Sequence, residues 1–149
     1  MGHALLIAGS YCMAGAAVLT ARACLRSGTG KVTVNSPKRN IPVLQMSVPE
    51  AIIQKGNEET IFAEAVDTED YNALGIGPGL GQSEQTAIAL IAQLRRTQCP
   101  IVADADALNM LANHRAWLTQ LPKEIIFTPH PKEFDRLEGH SACNHFGKK

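Results

Sequence analysis

At 149 residues the chain is long enough for one domain with a real core. Its 45% hydrophobic and 19% charged residues are an ordinary globular balance, and a formal net charge of +0 leaves no electrostatic footprint for nucleic acid. No basic amphipathic face argues for a membrane surface, and aromatics at 5% leave the core to Ala, Leu, Ile and Val.

The first residues form a short apolar run with no basic segment before it. It is too short to span a bilayer and lacks the form of a signal peptide. Ala4–Ala8 is instead expected to be a strand covered on both faces. A helix over Gly15–Ser27 follows, with Arg22 and Arg26 on its wet face, and Ser27-Gly28-Thr29-Gly30 stops it. Lys31–Asn35 is the next strand. Strand, helix and strand within about thirty residues make a βαβ unit and therefore predict parallel pairing.

From Ser36 to about Asp70 three prolines (Pro37, Pro42, Pro49) weaken the pattern. Val43–Met46 reads as a short strand or edge segment, and the stretch as an excursion or an interface. Tyr71–Ile76 resumes the sheet. Ser83 is a plausible N-cap for a helix through Arg96, whose apolar stripe is Ala87, Leu90, Ile91 and Leu94. Pro100–Ala103 is another strand, Asp106 is expected to cap a short helix through Leu111, and Glu124–Thr128 is the fifth strand. Pro131 fits the first position of a further helix, with Glu133 near its third.

The four cysteines, Cys12, Cys24, Cys99 and Cys143, show no CxxC spacing. They read as buried, reduced thiols, which points weakly to the cytoplasm.

Four of these strands end in unusual loops: Gly9-Ser10 through Gly15, Gly75-Ile76-Gly77-Pro78-Gly79-Leu80-Gly81, Asp104-Ala105-Asp106-Ala107, and Thr128-Pro129-His130-Pro131. In an open parallel sheet ligands bind outside the carboxyl ends of the strands, so the four predict one shared site. The first loop lacks GxGxxG and is no dinucleotide fingerprint. The second lacks the Lys-Ser/Thr of a Walker A loop. Its alternating glycines could still expose consecutive backbone donors as an anion nest. Asp104, at a strand end, could orient a ribose, a metal-bound water or a substrate hydroxyl. His130, rigid between two prolines at a helix start, would tend to be neutral and free to hydrogen-bond a ligand. The combination suits a phosphate-bearing ligand.

Gly9-Ser10 with Met13–Leu19, Ala23–Val34, Gly77–Gly81, Asp104–Asn109 and Thr128–Phe134 recur in this order in one family. Over residues 2–138 the chain resembles the ADP- or ATP-dependent NAD(P)H-hydrate dehydratases, the ribokinase-like YjeF C-terminal family. The resemblance implies a three-layer αβα fold with a mainly parallel sheet. It implies removal of water from hydrated NADH or NADPH, with phosphorylation by ADP or ATP and Mg2+ making the hydroxyl a leaving group. It implies that Ala16, Gly77, Gly79 and His130 contact the substrate, with Ser10, Asp104 and Asn109 in support, and it assigns no metal ligand.

Cys12 stands where a glycine is common in the family, and Lys132 where the residue after His-Pro is usually glycine. The family's second half supplies an anion hole, the adenine-nucleotide pocket and the catalytic aspartate, and no such segment occurs here. The 149 residues are therefore expected to be one truncated domain carrying the substrate side. They should be inactive alone, with an apolar edge covered in a homo-oligomer. A hydroxymethylpyrimidine- or hydroxyethylthiazole-type kinase, or a non-catalytic nucleotide-binding fragment, are the competing readings.

Overall fold

The computed structural model describes residues 2–128. Six strands, β1 (His3–Ile7), β2 (Lys31–Ser36), β3 (Ile52–Lys55), β4 (Ala73–Ile76), β5 (Ile101–Ala103) and β6 (Ile125–Phe127), form one sheet in the order β3-β2-β1-β4-β5-β6. Every neighbouring pair is parallel. Helices α1 (Ala14–Arg26) and α2 (Ile41–Ser47) lie on one face, and α3 (Glu84–Arg96) and α4 (Asp106–Asn113) on the other. The fold is a three-layer α/β arrangement.

Alternation along β1 divides its side chains between two cores. Leu5 and Ile7 join Leu74, Ile76, Ile101, Leu90, Leu94, Leu108 and Leu111 under α3 and α4. Leu6 and Ala8 join Val32, Val34, Ala17, Val18, Ala21 and Leu44 under α1 and α2. This double burial is why the central strand reads as a continuous apolar run. The stripe on α3 is as its spacing predicts: Ala87, Leu90 and Leu94 are buried and Ile91 is partly so. Ser83 caps α3, its hydroxyl accepting from the Thr86 N–H at 3.2 Å.

Two expectations fail between residues 36 and 70. Val43–Met46 is not a strand but the middle of α2, which follows a 3-10 turn over Lys38–Asn40. Pro42 reads as a breaker, but it sits in the helix's first turn, where its missing N–H costs nothing. Leu44 turns inward while Val43 and Met46 stay exposed. The edge strand β3 has no sequence expectation at all. It is four residues long and shows no alternation for a period-2 reading to find. The thiols also depart from expectation. Cys12 is exposed, Cys24 and Cys99 are partly buried, all three are free, and Cys143 lies outside the described residues.

One sheet face is open. Gly75, Val102 and Ile126 stand in register across β4, β5 and β6 on the side of α1. Val102 is 41% and Ile126 60% exposed, and Val102 with Leu19 of α1 lines an apolar groove. The exposed apolar surface expected from the sequence is thus a sheet face rather than only an edge. No helix among the described residues is long and apolar enough to cross a membrane.

Candidate functional site

The chain enters the sheet at β1, moves outward through β2 to β3, then returns to β4 beside β1 before moving the other way. The β1/β4 boundary is therefore the topological switch point, where the loops leaving the two strands diverge and open a crevice. Gly9-Ser10 leaves β1 and Gly77–Gly81 leaves β4, and the two loops are bonded together. The Gly9 N–H donates to the Pro78 carbonyl at 2.8 Å, and the Ser10 hydroxyl to the Gly79 carbonyl at 2.7 Å.

Close approach dictates the glycines. A Cβ on Gly9 (φ +88°) would lie 2.8 Å from Ser36 Oγ and 2.9 Å from Asn40 Nδ2. A Cβ on Gly77 (φ +135°) would lie 1.8 Å from the Asp104 carbonyl oxygen, and one on Gly79 (φ +69°) 2.6 Å from Ala16 Cβ. Gly77 thus sits on Asp104, and Gly79 on the start of α1 at Ala16. Ser10, Ala16, Gly77, Gly79 and Asp104 meet at one sheet edge. Asn109 lies on α4, partly buried, with its N–H donating to the Ala105 carbonyl. The fourth loop reaches Thr128, whose N–H bonds to Ala103 O at the same edge. His130 lies outside the described residues.

The nest expected in the second loop is largely used up within the fold. Gly77 N–H donates to Ile7 O, Leu80 N–H to Gly77 O and Gly81 N–H to Asp106 Oδ2, and Pro78 has none. Among the described residues only the Gly79 N–H lacks an acceptor in this loop. It lies against the first turn of α1, where Met13 provides no side-chain cap. The open donors are therefore those of a helix amino end plus one loop N–H, an arrangement that attracts an anion.

Asp106 is not the cap expected of it. Ala105, at φ +51°, occupies the cap position of α4, and Asp106 is the first helical residue. Its carboxylate reaches back to the glycine loop, accepting from Gly81 N–H at 2.8 Å and lying 3.4 Å from Gln82 Nε2. Asp104 Oδ1 accepts the adjacent Ala105 N–H at 2.8 Å, so that carboxylate is already oriented by its own turn. Asn40 gave no sequence signal. Buried at 3% exposure, it donates from Nδ2 to the Ser10 carbonyl (3.1 Å) and to Ser36 Oγ (3.0 Å), and Ser36 donates on to Ala8 O. Pairing from an unexpected helix is what hid it.

A cavity of ≈ 510 Å³ lined by Asp67, Tyr71, Arg96 and Cys99 lies at the amino ends of β4 and β5, away from these loops. The apolar groove, ≈ 520 Å³, instead runs up the open sheet face to Pro78 and Asp104. No group of three or more His, Cys, Asp or Glu among the described residues is placed to hold a metal ion.

The architecture defines an open α/β protein with a switch-point crevice at the carboxyl edge of its sheet. Residues 4–146 match the model of the NAD(P)H-hydrate dehydratase family, and the chain belongs to that family. It is 36% identical over 139 residues to an ADP-dependent (S)-NAD(P)H-hydrate dehydratase of Streptococcus thermophilus, covering 93% of this chain and 49% of the relative. A crystal structure of the Bacillus subtilis ADP/ATP-dependent NAD(P)H-hydrate dehydratase, co-crystallized with ATP/Mg2+, superposes with a TM-score of 0.77 at 36% identity. It covers 99% of this chain and 50% of that one. A ribokinase-like superfamily protein of Enterococcus faecalis gives a TM-score of 0.78 at 27% identity, over 99% and 54%. The fold is ribokinase-like, and the chain spans about half the length of the curated relatives it matches.

Proposed function

We propose that this chain carries the substrate-binding side of an enzyme that repairs hydrated NADH and NADPH by ADP- or ATP-dependent dehydration. The observation that carries the reading is the seam where Gly79 meets Ala16. There a helix start with no side-chain cap and an N–H with no acceptor among the described residues come together beside two bonded loops. Family membership supplies the substrate class, and this seam supplies a place for one of its phosphate groups.

In this reading Ala16, Gly77 and Gly79 form the wall against which the hydrated nucleotide lies, because any side chain at the glycines would collide with backbone or with α1. Ser10 fixes that wall through Gly79. Asp104, oriented by its own turn, and Asn109 support it, and His130 contributes a hydrogen-bonding partner. ADP or ATP, with Mg2+ on its phosphates, would supply the phosphoryl group that makes the hydrate's hydroxyl a leaving group. At the seam itself the described residues offer the helix start and the Gly79 N–H as anion donors, so the seam suits one anionic group. The 149 residues are accordingly proposed to be part of a single ribokinase-like domain, binding without turning over alone. The free thiols suit the cytoplasm, and the open face suits a homo-oligomer.

Titration calorimetry of this chain with NADH hydrate tests binding, and recovery of dihydronicotinamide absorbance with ATP tests turnover. We expect saturable binding, no recovery with this chain, and recovery with the full reading frame. Absence of binding, or turnover by this chain at the full-length rate, would overturn the assignment.

A further inference from the structure

Beyond β2 the crevice rim carries a cation that the reading above leaves without a role. Lys38 and Arg39 open the 3-10 turn after Pro37, and both are exposed. Neither is in an ion pair with another described residue. The Arg39 guanidinium carbon lies 5.2 Å from the centroid of the Tyr11 ring, within cation–π range. Lys38 has no aromatic support of this kind.

The backbone that carries that guanidinium is tied to the site's own loops. Tyr11 directly follows Ser10, and its N–H donates to the Thr60 carbonyl at 2.8 Å. The Arg39 N–H donates to the Glu59 carbonyl at 3.0 Å. The next residue is Asn40, which holds the Ser10 carbonyl. Glu58 and Glu59 lend their carbonyls here, yet neither carboxylate pairs with Arg39. A charged fork thus lies beside Tyr11 at the mouth of the crevice, on a turn tied to the loop that lines it, and no carboxylate among the described residues neutralises it.

NADH hydrate and NADPH hydrate differ by one phosphate. An unpaired cation near the crevice can tell them apart, and a guanidinium fork matches a phosphate better than an ammonium does. We infer that Arg39, laid on the Tyr11 ring, is a specificity-determining residue that takes the additional phosphate of NADPH hydrate. This inference rests on the substrate class proposed above.

The test is titration of the chain with each hydrate. The unaltered chain is expected to bind NADPH hydrate about tenfold more tightly than NADH hydrate, as a charge-assisted phosphate contact allows. Arg39→Gln should abolish that preference while leaving the affinity for NADH hydrate unchanged. Arg39→Lys should keep part of it, and Tyr11→Leu should reduce it by loosening the fork. Because the contact is exposed, the preference should shrink as salt rises from about 50 to about 500 mM. Equal affinities in the unaltered chain, or an Arg39→Gln loss shared by both hydrates, would overturn the role of Arg39 while leaving the substrate class standing. Failure of the unaltered chain to bind either hydrate would remove the substrate class and this inference with it.

Discussion

Gly77→Ala isolates the contact that joins two of the site's loops. The added methyl would sit 1.8 Å from the Asp104 carbonyl oxygen and 3.0 Å from Ala107 Cβ. The obstructing atom is backbone, so no rotamer change relieves it. Moving it drags the end of β5 and the start of α4. The φ of +135° adds a second cost. An unfavourable backbone conformation costs about 1–3 kcal/mol, and overpacking adds about 1–3 kcal/mol. The sum, about 2–6 kcal/mol, is a large part of a domain's usual 5–15 kcal/mol, at about the scale of those totals. Gly28→Ala is the matched control, because Gly28 has φ +90° but nothing within 4 Å of the new methyl. It should show the backbone cost alone. In urea, with a slope of roughly 1–3 kcal/mol per molar, Gly77→Ala should lower the midpoint by roughly 1 M more than Gly28→Ala does. Equal midpoints for the two variants would refute the claim that Gly77 is dictated by Asp104.

Other substitutions separate the remaining contacts. Asp106→Ala leaves the Gly81 N–H without its acceptor and should cost about 1–2 kcal/mol in urea unfolding. Gly15→Ala meets nothing within 4 Å in the first turn of α1 and should raise stability by about 0.5–1 kcal/mol. Ser83→Ala removes the cap of α3 and should lower stability by about 1 kcal/mol, measured the same way. Iodoacetamide mapped by mass spectrometry should label exposed Cys12 before Cys24 and Cys99. Burial pushes the Cys99 thiol above its ordinary value, with its own backbone hydrogen bond opposing. Its thiolate therefore forms at higher pH than a free thiol's in solution, and its labelling should keep accelerating above the pH at which that of a free thiol has levelled off.

The parts legible in sequence are those where one physical signal dominates. The β1 run could only be a doubly covered strand, and the α3 stripe could only be a helix face with Ser83 at its start. Loops after parallel strands must share an edge, so the meeting of Ser10, Gly77 and Asp104 follows from the βαβ pattern. Where two signals compete, the sequence misleads. Pro42 both breaks and starts helices, and only the packing of Leu44 decides between them. Asp106 has the chemistry of a cap and that of a loop anchor, and the proximity of Gly81 selects the second. Asn40 has a local partner in Ser36, but Ser10, the partner that ties it to the site, is brought to it by folding rather than by spacing.

The seam between the first two loops also says when the site comes into being. The Ser10–Gly79 bond joins residues 69 apart, and the Gly9–Pro78 bond spans a similar stretch of chain. Neither half of the sheet contains both partners, although β1–α1–β2 and β4–α3–β5 are each local units. Long loops must close before such contacts form, and parallel sheets with these connections fold slowly for that reason. The crevice should therefore be among the last features to appear during refolding, after the helices and the two flanking strand pairs. A ligand present from the start of refolding has nothing to hold until the halves dock. It should slow the subsequent unfolding of the finished protein while leaving the early rise of helical signal untouched.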